Sequence, residues 1–167
     1  MTNLPPFEHV VAEHGARVLR VCRAVLGSDT EAEDAWSETF LAALRAWPTR
    51  SDDEHLEGWL VTIAHRKALD VVRARRRRAV PVDHPPEAAA RGDGDQGAAT
   101  DDLRVALAAL PEKQRAVLAY HYLGGLAYAE IAVLLGGTAE AARRAAADGR
   151  TRLRATLTRG DENVDRA

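Results

Sequence analysis

The stretch WLVTIAHRKALDVVRARRRR, residues 59–78, constrains the chain more than any other. It opens with the apolar spacing of a helix and closes with five arginines in six positions, Arg73 and Arg75 to Arg78. A core cannot take in that many guanidiniums, because each buried charge needs a partner and none is supplied locally. The apolar half is therefore expected to dock in a protein core while the arginine half meets a polyanion. Nucleic acid fits, since neutralising phosphates releases counterions and drives binding without base reading. For an arginine run taken alone, a solvated helix end is the plain alternative.

Composition shows how that charge is arranged. The 167 residues, 46% hydrophobic and 29% charged, allow one domain or two small ones. A formal net charge of −2 hides a basic–acidic–basic layout. Residues 79–102 carry Arg91 against Asp83, Glu87, Asp93, Asp95, Asp101 and Asp102, whereas 51–78 and 103–159 are net basic. That pattern suggests two anion-binding modules joined by a tether that repels the same anion. The single cysteine, Cys22, excludes disulfides and a thiolate zinc site, and its apolar neighbours predict a buried, inert thiol. Without a basic-then-apolar leader or a membrane-length apolar run, the expectation is a cytoplasmic protein with no membrane insertion.

Helical spacing runs through nearly the whole chain. Pro5 and Pro6 can open a first helix that Gly27 closes, with Phe7, Val11, His14, Val18, Val21 and Val25 as its buried stripe. On that stripe His14 reads as a core histidine. His9 and Glu13 have metal-compatible spacing but no further ligand pattern, so surface residues and no metal are expected. Ser28 with Glu31 forms a capping-box signal for a second helix, stopped by Pro48. Ala32, Ala35, Trp36, Thr39, Phe40, Ala43 and Leu44 trace its inward face, while Glu31, Asp34 and Glu38 make an acidic stripe. Ser51 to Asp53 supply caps for a third helix, anchored by Leu56, Trp59, Leu60, Ile63 and Ala64.

Residues 79–100 hold prolines, glycines and acids without a core-forming pattern and read as a linker. A cap at Thr100–Asp102 restarts the helical pattern, which Leu110–Pro111 and Gly124–Gly125 interrupt. A short helix with Tyr128, Ile131, Leu134 and Leu135 then meets Gly136–Gly137, and Thr138 caps a last helix from Ala139 to about Leu157. Short helix, glycine turn and longer basic helix is the helix-turn-helix order, whose second helix enters the major groove. Arg159 to Ala167 read as a frayed, disordered polar tail, with no further domain expected.

Together these segments resemble the extracytoplasmic-function group of bacterial sigma factors, the initiation subunits of RNA polymerase, from Phe7 to about Leu157. DAWSETFLAALRAW (34–47) is similar to the family's polymerase-clamp-binding helix. WLVTIAHRKALDVVRARRRR is similar to its promoter-melting and minus-ten-reading helix, and LPEKQRAVLAYHYLGGLAYAEIAVLLG (110–136) resembles its minus-thirty-five-binding domain. The resemblance implies an all-α fold of two small helical domains joined by a flexible acidic linker. The second is a helix-turn-helix of the winged-helix-like sigma region four. Boundaries of 1–78, 79–101, 102–158 and 159–167 follow for the first module, linker, second module and tail.

Roles follow from the same resemblance. Asp34, Ser37, Glu38 and Leu41 would bind core RNA polymerase. His65, Arg66 and Lys67 would contact the minus-ten strand, and Arg73 and Arg75, Arg76, Arg77 and Arg78 the neighbouring phosphates. Thr138, Glu140, Arg143, Arg144 and Arg150 would meet the upstream element of promoter DNA. An anti-sigma factor is a further candidate partner. No cofactor and no catalytic residue are implied, because the chemistry belongs to the polymerase.

This chain departs from the family at several positions. Ser37 stands at a usual glutamine and Arg66 at a frequent asparagine. In the last helix Ala142 and Ala146 replace larger aliphatics, Gly149 a common alanine, and Asp148 a common basic residue. Ala142, Ala146, Gly149, Leu153 and Leu157 thus form an inward stripe of small volume. Either the neighbouring helix approaches closely or the module is loose, in which case Ala142→Val with Ala146→Leu should stabilise it. Asp148 is placed to pair with Arg144 one turn earlier, leaving Arg143, Arg150, Arg152 and Arg154 for phosphates. The leading expectation is an alternative sigma factor. A sigma-like adaptor with weakened promoter reading is the alternative, and a plain helix-turn-helix repressor ranks last.

Overall fold

The computed structural model describes residues 4–50, 55–79 and 98–164. Among them every regular element is a helix, and no strand, hence no wing, is present. The all-α expectation holds. The chain divides into two compact units, Met1–Arg91 and Gly92–Ala167. The Ser51–Asp53 caps and most of the expected linker lie outside the described residues.

The first unit packs α1 (Phe7–Leu26), α2 (Asp29–Ala46) and α3 (Leu56–Arg78) against one another. Gly27 ends α1 because its φ of 73° is left-handed, a conformation cheap only without a Cβ. Ser28 then accepts the Glu31 backbone N–H at 3.4 Å and starts α2. The reciprocal half of the expected capping box does not form, since Glu31 turns away to Arg75 on α3. At the start of α3 the cap is His55, whose Nδ1 accepts from the Gly58 N–H at 3.1 Å.

Large side chains fill this core. Val10, Val18 and Cys22 from α1, Phe40 from α2 and Leu60 from α3 are almost wholly buried. Aromatic rings form a chain through it: Phe7 meets Trp47 at 5.4 Å, Trp36 meets Phe40 at 4.9 Å, and Trp47 meets Trp59 at 6.2 Å. The Trp36 indole N–H donates to the Gly15 carbonyl at 2.9 Å, so a ring placed inward still satisfies its polar end. His14 is buried, as a core histidine should be. Burial pushes the Cys22 thiol up to about 12, which leaves it protonated and inert. Leu44 corrects the expectation of an inward residue: it is 49% exposed, because the true inward line passes through its neighbour Ala43, 100° round the helix.

The second unit comprises α4 (Ala98–Ala108), α5 (Glu112–Leu118), a π turn (Ala119–Leu123), α6 (Tyr128–Leu135) and α7 (Ala139–Val164). In the π turn the Gly124 N–H reaches back to Ala119, and Leu126 N–H bonds Tyr120 O at 3.0 Å. Gly136 and Gly137, with φ of 74° and 120°, make the tight turn into α7. There Thr138 caps, accepting the Ala141 N–H at 3.1 Å. Helix α4 begins before the cap expected at Thr100, and α7 runs past Leu157 into the expected tail.

The thin stripe of α7 is resolved by proximity. Ala142, Ala146 and Gly149 are buried, and a Cβ added at Gly149 would stand 2.9 Å from Leu118 Cδ1 and 3.4 Å from Gln114 Cβ. At Gly149, helix α5 therefore lies close enough to use up the missing volume. That favours the close-approach alternative over the loose module for which Ala142→Val with Ala146→Leu was expected to be stabilising. The expected Asp148–Arg144 pair is also absent; Arg143 pairs instead with Glu140 at 3.6 Å.

Candidate nucleic-acid interface

In the first unit the acidic face of α2 and the basic face of α3 meet across a groove of about 360 Å³. Glu31, Asp34 and Glu38 line one wall; Lys67, Asp70 and Arg78 line the other. Lys67 Nζ lies 3.4 Å from a Glu38 oxygen. Arg75 makes an ion pair with Glu31, its Nε donating at 2.9 Å, and its Nη2 donates to the Leu26 carbonyl at 3.0 Å. Arg73 sits 3.8 Å from Asp70. The reading that no partner is supplied locally is thus corrected by Asp70, one turn before Arg73, and α2 adds Glu31 from far back in the chain.

The remaining residues divide by exposure. Asp34, Ser37, Glu38 and Leu41 follow one another on the outer side of α2, and Leu41 is 45% exposed despite being apolar. Along α3, Ala64 and Ala68 are buried, His65 and Lys67 are half-buried, and Arg66 with Arg75 to Arg78 is exposed. A helix rooted by small residues thus carries cations outward at its far end. Net attraction for an anion survives there because the internal pairs are partly solvated and weak.

In the second unit four of the five expected DNA residues already have partners within the unit. Thr138 is the cap of α7, and Glu140 pairs with Arg143. Arg144 is exposed. Arg150 Nη1 donates to the Tyr122 hydroxyl at 2.9 Å, and the Arg143 guanidinium lies 5.7 Å from the centre of the Tyr128 ring. His121 stacks on Tyr128 at 4.1 Å, and its Nδ1 lies 2.8 Å from the Leu126 carbonyl, which can only accept. A hydrogen bond there is made by the tautomer that carries hydrogen on Nδ1. Desolvation raises the Tyr128 hydroxyl above its ordinary value. The charge and hydrogen bond of Tyr122 add to the rise, and Arg150 and Arg143 oppose it. None of His121, Tyr122 and Tyr128 was given a functional role from sequence; Tyr128 was read only as part of the short helix. Their clustering around Gly124–Gly125, in AYHYLGGLAY, was the available signal.

A three-helix body with a charged groove, followed on one chain by a helix-turn-helix with a cationic last helix, defines a two-module all-helical protein. Residues 10–78 match the family model described as Sigma-70 region 2, and residues 100–153 match that described as Sigma-70, region 4. The chain belongs to the sigma-70 family, in its extracytoplasmic-function (ECF) group, a class of non-enzymatic transcription factors.

Among relatives, it is 31% identical over 166 residues to "ECF RNA polymerase sigma factor SigE" of Mycolicibacterium smegmatis, covering 93% of this chain and 63% of that protein. It is 29% identical over 160 residues to "Probable ECF RNA polymerase sigma factor SigI" of Mycobacterium tuberculosis, covering 87% and 53%. The chain therefore spans between half and two thirds of the length of these relatives. Two solved structures share the fold. Bartonella quintana RpoE, solved with the anti-sigma factor NepR, has a TM-score of 0.72 at 19% identity, covering 91% of this chain and 96% of that one. CnrH, solved with the cytosolic domain of CnrY, has a TM-score of 0.64 at 24% identity, covering 91% and 87%. No helix among the described residues is long and apolar enough to cross a membrane.

Proposed function

We propose that this chain is an alternative sigma factor that binds core RNA polymerase and directs promoter recognition and transcription initiation. One observation carries the reading: α3 outlasts its own core. Ala64 and Ala68 are buried at 1% and 2%, whereas Arg76 to Arg78 are exposed, so its last turn carries cations at the surface and nothing apolar to bury. In the context of the Sigma-70 region 2 match, that supports a minus-ten interface.

Asp34, Ser37, Glu38 and Leu41 dock on the polymerase, combining charge with one exposed leucine. His65, Arg66 and Lys67 capture the opened strand, while Arg73, Arg76, Arg77 and Arg78 hold adjoining phosphates. Arg75 serves mainly to tie α3 to α2. Thr138, Glu140, Arg143, Arg144 and Arg150 on the helix-turn-helix meet the upstream element. The protein works in the cytoplasm, needs no cofactor and is not an enzyme: bond making belongs to the polymerase. An anti-sigma factor is a further partner in this reading, as NepR is for RpoE.

Purified chain mixed with core RNA polymerase tests this directly. Co-elution, followed by transcripts starting at discrete sites on genomic DNA, is the expected outcome. Failure to join the core enzyme overturns the proposal. Tight joining without initiation would favour the adaptor reading.

A further inference from the structure

The cluster around Tyr122 and Tyr128 is more than helix packing. Arg143 and Arg150 are seven residues apart on α7, two turns and therefore on one face. Yet both guanidiniums lean on the same pair of phenols: Arg150 on the Tyr122 hydroxyl at 2.9 Å, Arg143 over the Tyr128 ring. His121, stacked beneath Tyr128 and tied to the Leu126 carbonyl, fixes that ring from the other side. Tyr122 is 52% exposed and the Arg143 side chain 59% exposed, so the cluster faces solvent.

Its chemistry is one-sided. Guanidiniums offer only donors, and a phenol held protonated offers one more. The acid in contact is Glu140, 3.6 Å from Arg143, an exposed pair that a stronger anion can displace. A guanidinium braced on a phenol or lying over a ring is poorly free to align in the plane of a guanine edge, which bidentate base reading demands. It remains well placed for an oxygen anion above it.

We propose that Tyr122, Tyr128, Arg143 and Arg150 form a preset seat for a backbone phosphate of duplex DNA, gripping the strand irrespective of sequence. The inference rests on the upstream-DNA reading above and adds to it: two arginines of the last helix set affinity and register, and base discrimination falls to other positions such as Arg144. Tyr122 is a positioning residue, and Arg150 makes the contact.

The test uses the full chain, two labelled duplexes of equal length and unrelated sequence, and a titration of affinity against salt. Tyr122→Phe removes a solvent-facing oxygen and leaves the ring in place, so folding should be unaffected. It should weaken binding to both duplexes by the same factor, about three- to tenfold, the worth of one hydrogen bond. Arg150→Gln should weaken both equally and lower the salt slope by about 0.9, one phosphate contact. Loss confined to one duplex, or an unchanged slope for Arg150→Gln, would mean that Arg150 reads bases, and the seat would be refuted. If the unaltered chain binds both duplexes and both variants match it, the seat alone is overturned. If the unaltered chain binds neither, the upstream-DNA reading falls, and the seat with it.

Discussion

The α5–α7 contact of the second unit is built in the opposite way to the core of the first. In the first, volume between helices is filled by side chains: Phe40, Trp47 and Leu60 span the space among α1, α2 and α3. In the second, α7 brings a face of Ala142, Ala146 and Gly149 so near to α5 that little space is left to fill. Both solutions reach close packing, but they fail differently. A filled core suffers when a side chain is removed; a closed gap suffers when one is added.

That contrast sets the predictions. Leu60→Ala, at a fully buried site, should cost about 2–5 kcal/mol in chemical denaturation. A cost under about 1 kcal/mol would mean the first core can collapse around the hole. Ala146→Leu should destabilise the second unit by about 1–3 kcal/mol through overpacking. A rise in melting temperature would show slack between α5 and α7 and erase the distinction between the units.

Alkaline titration sharpens the comparison further, because the first unit alone contains a thiol. Cys22 is held protonated up to about 12, so the unfolded chain loses that proton first. Stability should therefore fall as pH rises above the unfolded thiol's value, by about 1.4 kcal/mol at pH 10. Cys22→Ala should flatten that fall, and an unchanged pH profile would remove the thiol as its cause. Smallest of all, Glu31→Gln should cost less than about 1 kcal/mol, since its pair with Arg75 is partly solvated. A larger loss would make the groove a structural element of the first unit in its own right.

Local signals in the sequence located most element ends. Gly27, Ser28, Gly136–Gly137 and Thr138 act on backbone within a few residues, so their effect is visible without tertiary knowledge. The helix-turn-helix and the outward acidic line through Asp34 and Glu38 were legible for the same reason. What escaped depends on residues far apart in the chain. Arg75 finds Glu31 across 44 positions, and Arg150 finds Tyr122 across 28. Charge counting treated those arginines as open because it cannot see which acid or phenol a fold brings alongside. Likewise the small residues of α7 looked like a deficit until the distance to Leu118 was known. Leu44 was misjudged by a single step round a helix whose neighbour Ala43 takes the inward place.

The bond from Arg75 to the Leu26 carbonyl joins the far end of α3 to the last turn of α1. Neither helix end can unwind without the other losing its cation or its acceptor. Amide protons along α3 up to Arg75 and in the last turn of α1 should thus exchange with solvent deuterium through one shared opening, while those of Arg76 to Arg78 exchange sooner. The arginine run would then have a clasped root and a loose tip, ordered where it leaves the body and adaptable where it reaches out.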